Sequence, residues 1–175
     1  MERIVAGSGH RPFQKNKTGQ WISKLEYPGV SGSSRELYNR LTDLARAWLL
    51  KHPEVSGVIS GAAMGWDLGL ANAAVKVGIP LHMYIPHLGH AQGWRTFYKD
   101  EHNRLLGLAS YIHAPEIPFS PQALLQRNKD MVDNADIVLA LWDGSPGGTS
   151  HCVQYARTQG KPVTNLWPSW EKYRG

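Results

Sequence analysis

An α/β fold of the Rossmann-like kind, with a mostly parallel open sheet and helices on both faces, follows from two observations. Short apolar runs rich in Val, Ile and Leu alternate with longer amphipathic segments along the whole chain. Three of those runs also discharge into glycine-containing turns: Gly7-Ser8-Gly9-His10-Arg11-Pro12, Ser60-Gly61-Ala62-Ala63-Met64-Gly65-Trp66-Asp67, and Asp143-Gly144-Ser145-Pro146-Gly147-Gly148-Thr149. In an open parallel sheet the loops at the carboxyl ends of the strands share one edge, so the three can converge on one ligand.

The elements follow in order. Arg3-Ile4-Val5-Ala6 reads as the first strand, leading into the Gly7 turn. Residues 13 to 33 are polar and punctuated by Gly19, Pro28, Gly29 and Gly32, which predicts a long loop over the edge of the site. Ser33-Ser34 cap a helix from Arg35 to Lys51, with Leu37, Leu41, Leu44, Ala45 and Trp48 on one stripe. Gly57 to Ser60 is the second strand; Trp66 to Val77 is a helix of small residues that Gly78 closes. Pro80 to Ile85 is the third strand, Trp94 to Leu108 a helix, and Ser110 to His113 a short strand. Pro121 to Asn134 is a helix, Asp136 to Trp142 the fifth strand, and Thr149 to Thr158 the last long helix, ended by Gly160. No repeat or linker interrupts the pattern, so residues 1–175 read as one domain.

Composition narrows the function classes. The 42% hydrophobic content suits a buried core, and the seven Trp supply much of it. The lone Cys152 excludes an internal disulfide framework and suits a reducing compartment. No signal-like or membrane-spanning run is visible, so a cytoplasmic protein is expected. The charge of +5 comes from Lys and Arg spread along the chain, which reads as a solvated basic surface before a nucleic-acid patch. The Trp-rich composition brings more apolar surface than one domain buries completely, which predicts a homo-oligomer.

The loop residues suggest an anionic small molecule. Gly61 and Gly65 permit a tight turn ahead of a helix N-terminus, where free N–H groups attract phosphate. Gly148, like Gly61, reads as a position where a Cβ would block a positive φ or close ligand approach. Arg11 offers a planar fork that matches phosphate. His10 reads equally as a phosphate contact or a surface-loop residue, and Asp143 as a turn former or a ligand acceptor. Asp67 either opens its helix or accepts a bond from a ribose hydroxyl or a base. His82, His87, His90 and His102 lack metal-ligand spacing, and no metal or cofactor is expected. Trp94 and Tyr98 read as a core stripe.

On these residues the chain resembles a known group. The Ser60 to Asp67 segment is similar to the SGxAxGxD signature of the superfamily joining the DNA-processing protein DprA, the Lonely Guy cytokinin-activating enzymes and the YpsA-like proteins. The Gly7 to Pro12 segment resembles the GHRP segment of the YpsA-like branch, and Asp143 to Thr149 its second glycine-rich loop. The resemblance runs in order from about residue 3 to 165 and implies a Rossmann-like sheet holding a nucleotide or nucleotide-derived molecule. Its implied ligand residues are Gly7, Ser8, Gly9, His10, Arg11, Ser60, Gly61, Ala62, Gly65, Asp67, Arg127, Asn128, Asp143, Gly144, Gly147, Gly148 and Thr149.

Chemistry departs from that family. Arg127-Asn128-Lys129-Asp130-Met131 resembles the RKxxM helix of Lonely Guy enzymes, so Arg127 matches their Arg, but the position of their catalytic Glu falls on Cys152. A thiol cannot stabilise an oxocarbenium-like centre as a carboxylate does. Pro146 also removes one N–H from the loop. No catalytic residue is therefore assigned, and whether the chain is an enzyme stays open, with binding favoured. A module that senses or sequesters a nucleotide-derived molecule ranks first, an N-glycosidase or phosphoesterase second, and a single-stranded DNA binder third.

Overall fold

The computed structural model describes residues 2–32 and 34–174. Ser33, half of the expected helix cap, lies outside them. The first strand, β1 (Arg3–Gly9), is followed by a small hairpin of β2 (Gln14–Lys15) and β3 (Trp21–Ile22). Then come α1 (Arg35–Leu50), β4 (Val55–Ser60), α2 (Trp66–Val77), β5 (Leu81–Tyr84), α3 (Thr96–Leu108) and β6 (Tyr111–His113). The chain continues through α4 (Pro121–Asp133), β7 (Ile137–Leu141), α5 (Gly148–Thr158), β8 (Val163–Asn165) and α6 (Trp167–Arg174).

Six strands form one sheet in the order β6-β5-β4-β1-β7-β8, and every pairing within it is parallel. The chain works outward from β1 to β6, then returns to the other side of β1 at β7. That reversal puts β1 between β4 and β7, the three strands whose following segments carry the glycines. Helices α1, α2 and α3 cover one face and α4 and α5 the other, as a right-handed crossover requires.

Local chemistry explains the elements. Ser34 caps α1 by accepting from the N–H of Leu37, and Ser120 caps α4 by accepting from Ala123, with Pro121 at the first helical position. Gly78 ends α2 at φ 78°, a left-handed turn that suits glycine. On α1 the buried stripe takes in Leu49, whereas Trp48 is only partly buried and stacks on His52 at 3.9 Å.

Four features differ from the sequence reading. First, β1 does not stop at Ala6. Gly7, Ser8 and Gly9 stay in the strand, pairing with Leu139, Ala140 and Leu141 of β7. Second, the stretch from 13 to 33 contains the hairpin, with Lys15 opposite Trp21. Third, the short β8 and the terminal α6 were not anticipated, because three residues give too little periodicity to register. Fourth, Trp94 precedes α3, although both it and Tyr98 pack against the core.

Trp66 anchors the centre. It is fully buried under β1, and its indole N–H donates to the carbonyl of Leu139 at 3.2 Å. Truncating such a side chain to alanine costs about 3–5 kcal/mol. A Cβ at Gly9 would lie 2.5 Å from Trp66 Cδ1, and one at Gly7 would lie 2.3 Å from Leu70 Cδ2. These two glycines are therefore dictated by the close seat of α2 on β1.

Candidate ligand-binding site

The carboxyl end of β1 with the residues after it and the segments after β4 and β7 meet at one edge of the sheet around a cavity of about 470 Å³. Gly7, Ser8, Gly9, His10 and Arg11 line it from the first segment, Asp67 from the second, and Gly147, Gly148 and Thr149 from the third. Arg127 and Asn128 of α4 line it as well. Ser60, Gly61, Ala62, Gly65, Asp143 and Gly144 lie outside the lining.

The turn after β4 holds Asp67 rigidly. Ser60 Oγ donates to the carbonyl of Asp67 at 2.8 Å and accepts from the N–H of Ala62 at 3.2 Å. Ala62 adopts φ 62°, a conformation that costs an alanine roughly 1 kcal/mol and is held only by its surroundings. Gly65 has φ 90°, and a Cβ there would meet the carbonyl of His10 at 2.6 Å, so the turn packs directly against the end of β1. Asp67 does not cap its own helix. Its Oδ2 accepts instead from the N–H of Ala63 at 3.4 Å, while its buried Oδ1 has no hydrogen-bond partner.

Arg127 faces this carboxylate. Its Nη1 donates to the carbonyl of Gly61 at 2.5 Å and reaches that of Tyr84 at 3.5 Å, and its Nε donates to Asn128 Oδ1 at 3.0 Å. Burial pushes the Asp67 carboxyl up to about 6, against the opposing pull of Arg127, the Ala63 N–H and Arg11. Burial likewise lowers the Arg127 guanidinium, and the charge of Asp67 resists that. A buried carboxylate and guanidinium in one wall of a cleft are the features by which a candidate functional site is recognised.

A second polar group ties two loops together. His10 Nε2 lies 2.9 Å from Asp143 Oδ1 and 3.1 Å from the Asp143 N–H. A proton on Nε2 satisfies the carboxylate, and its loss leaves a lone pair for the N–H. Asp143 also accepts from the N–H and hydroxyl of Ser145 and sits 3.3 Å from Lys24 Nζ, which donates to Ser145 Oγ. Burial disfavours charge on Asp143, but the Ser145 bonds, His10 and Lys24 outweigh it and hold the carboxyl well below its usual range. Burial lowers the His10 imidazole despite Asp143. Asp143 thus shapes the loop and is committed within the protein.

The third loop opens α5. Gly147 has φ 145° and Gly144 φ 88°, so both suit glycine, whereas Gly148 has no such need and a Cβ there meets nothing within 4 Å. Of the two reasons expected for Gly148, the positive φ is corrected on that ground, and close approach of a ligand is the one that its place in the cavity lining leaves. The first N–H groups of α5 have no helical acceptor and are oriented for an anion. Arg11, exposed at the rim, makes no hydrogen bond or ion pair to a side chain among the described residues.

Several lining residues were not among the expected ligand residues, although Ala63, Ser145, Pro146 and Met131 lie within the motifs. Gln14 and Lys24 come from the hairpin segment, Pro121, Leu124, Leu125 and Met131 from α4, and Ala63, Ser145 and Pro146 from the loops. The α4 leucines carried no signal in the sequence, because an apolar cavity wall and a core stripe share one helical period. Cys152 lies behind the cavity wall at 1% exposure, with its thiol pushed up to about 11 by burial. Among the described residues no group of three metal-ligating side chains converges, although His90 and His102 pack 5.8 Å apart with Trp94 against both.

No protein-family model matches the chain. It is similar to a UPF0398 protein of Bacillus anthracis (strain A0248), 22% identical over 91% of this chain and 85% of that one. Among solved structures it is similar to DNA processing protein A from Helicobacter pylori, whose structure concerns single-stranded DNA binding. That match has a TM-score of 0.58 at 18% identity and covers 93% of this chain and 64% of the other. The Moco carrier protein of Chlamydomonas rheinhardtii matches with a TM-score of 0.50 at 15% identity, over 99% of this chain and 82% of that one.

Proposed function

We propose that this chain, a YpsA-like member of the superfamily that joins DprA and the Lonely Guy enzymes, binds a nucleotide-derived small molecule as a single domain. The observation that carries the reading is the cavity itself. It combines a helix N-terminus at Gly147 to Thr149, an Arg11 free to pair with an anion, the buried Asp67 and Arg127, and the apolar wall of Leu124, Leu125 and Met131. An anion, a polar sugar and a planar apolar group each find a matching surface there.

Binding is favoured over turnover. The place of the family's catalytic carboxylate carries Cys152, which is buried and whose thiol stays protonated. The Moco carrier protein, by its name, carries a small molecule on a related fold. Titration calorimetry with nucleoside mono-, di- and cyclic phosphates tests the reading, and micromolar binding of at least one is expected.

Single-stranded DNA binding is the second reading. It is supported by the likeness to the Helicobacter pylori protein and by Trp21, 67% exposed beneath Lys15 Nζ at 5.2 Å, an arrangement suited to stacking on a base. Micromolar binding of oligonucleotides with no binding of mononucleotides would favour it. A homo-oligomer is also proposed, since the edge strand β6 exposes Tyr111 and Ile112 beside Leu108. Light scattering at about twice the 19.5 kDa chain mass or more is the expected result. No helix among the described residues is long and apolar enough to cross a membrane, and the free Cys152 suits the proposed cytoplasmic location.

A further inference from the structure

We propose that the Asp67 and Arg127 pair reads the sugar of the ligand, so that the cavity selects molecules with a free ribose diol over their deoxy counterparts. The inference rests on the nucleotide reading and deepens it. Asp67 is 7% exposed and lines the cavity, yet its Oδ1 has no hydrogen-bond partner. Its other oxygen accepts from the Ala63 N–H at 3.4 Å, and its backbone carbonyl accepts from Ser60 Oγ. A buried carboxylate oxygen without a donor is costly, and a hydrogen-bond donor on what fills the cavity would satisfy it.

Arg127 completes the geometry. Its contacts to Gly61, Tyr84 and Asn128 use Nη1 and Nε, so Nη2 is the end that remains for a guest. A cis diol fits such a pair: one hydroxyl donates to Asp67 Oδ1, and a hydroxyl oxygen accepts from the guanidinium. A phosphate in this position would set its charge against the carboxylate, so the anionic end of the ligand belongs at the α5 N-terminus and Arg11, across the cavity. The orphaned oxygen therefore specifies a neutral hydrogen-bond donor, and in a nucleotide the hydroxyl-rich sugar supplies it.

The test is calorimetry of the full chain with the 5′-monophosphates of the ribonucleosides and with their 2′,3′-dideoxy counterparts. The ribose form that binds is expected to bind roughly 10- to 100-fold more tightly than its dideoxy partner, the loss that follows when a buried polar group stays unpaired. Asp67→Ala should bring that ratio close to one. Should that variant fail to fold, the ratio in the unmodified chain already decides. Equal or tighter binding of the dideoxy forms overturns the inference and leaves the nucleotide reading standing. Silence from both series with folded protein overturns the nucleotide reading, and this inference with it.

Discussion

Asp67 and Arg127 close around Gly61: a Cβ at that glycine would lie 2.8 Å from both Asp67 Oδ2 and Arg127 Nη1. Gly61 is not at a positive φ, so its requirement is space beside this pair. Gly61→Ala is expected to displace the guanidinium, to cost about 1–3 kcal/mol of stability, and to weaken ligand binding tenfold or more. Gly148→Ala is the contrast. With an ordinary backbone and open space around it, its stability should stay within about 0.5 kcal/mol of the parent. Thermal unfolding and calorimetry of both variants check the pair.

Asp67 should destabilise the protein it serves. Its folded pKa, about 6, is above the ordinary 3.8, so the folded chain carries a buried charge that it would rather neutralise. Stability contributed by this group grows as pH falls from above 6 toward 4 and is absent at neutral pH. Asp67→Asn is therefore expected to be more stable than the parent at pH 8, by of order 1–3 kcal/mol, with the gain fading toward pH 4. Denaturant melts at several pH values read the difference directly. A variant less stable at pH 8 would show that the carboxylate is held by its partners as a structural ion pair.

The His10 and Asp143 contact predicts the opposite trend with acid. The folded His10 pKa is below 6.5, so the unfolded chain takes up the proton first and stability falls as pH drops below that value. Asp143 has a depressed folded pKa, so its contribution is present above about pH 4 and is lost below it. His10→Gln should flatten the decline in melting temperature between pH 6.5 and 5 relative to the parent. An unchanged slope would mean that His10 titrates as it does in the unfolded chain.

Cys152 should be chemically silent. With a thiol pushed up to about 11 and 1% exposure, it should resist iodoacetamide at pH 8 and react within minutes in denaturant, as mass spectrometry would show. The same burial predicts no free base released from nucleoside monophosphates above the uncatalysed level. Rapid alkylation of the native chain would mean that the cavity reaches this thiol after all.

The motifs marked the segments that meet at the cavity but not why each residue is there. The three glycine segments were read from the sequence because small residues after apolar runs are a local signal, and they do meet at the β4-β1-β7 edge. The reasons for the glycines were not legible. Gly7 and Gly9 answer to Leu70 and Trp66, partners more than fifty positions away in the chain. The same is true of Asp67, whose meaning depends on Arg127 arriving from α4, and of Lys24, which reaches Ser145 and Asp143 from a stretch that read only as loop. Helix ends were legible where a side chain or a left-handed glycine marked them, as at Ser34 and Gly78. The short β8 had no such mark.

The most direct test of the account is titration calorimetry of the unmodified chain against nucleoside mono-, di- and cyclic phosphates, run beside Gly61→Ala. The parent is expected to bind at least one nucleotide with micromolar or tighter affinity, at one site per chain, and the variant to lose tenfold or more. Folded parent protein that binds none of the panel, or a Gly61→Ala variant that binds as the parent does, would contradict it.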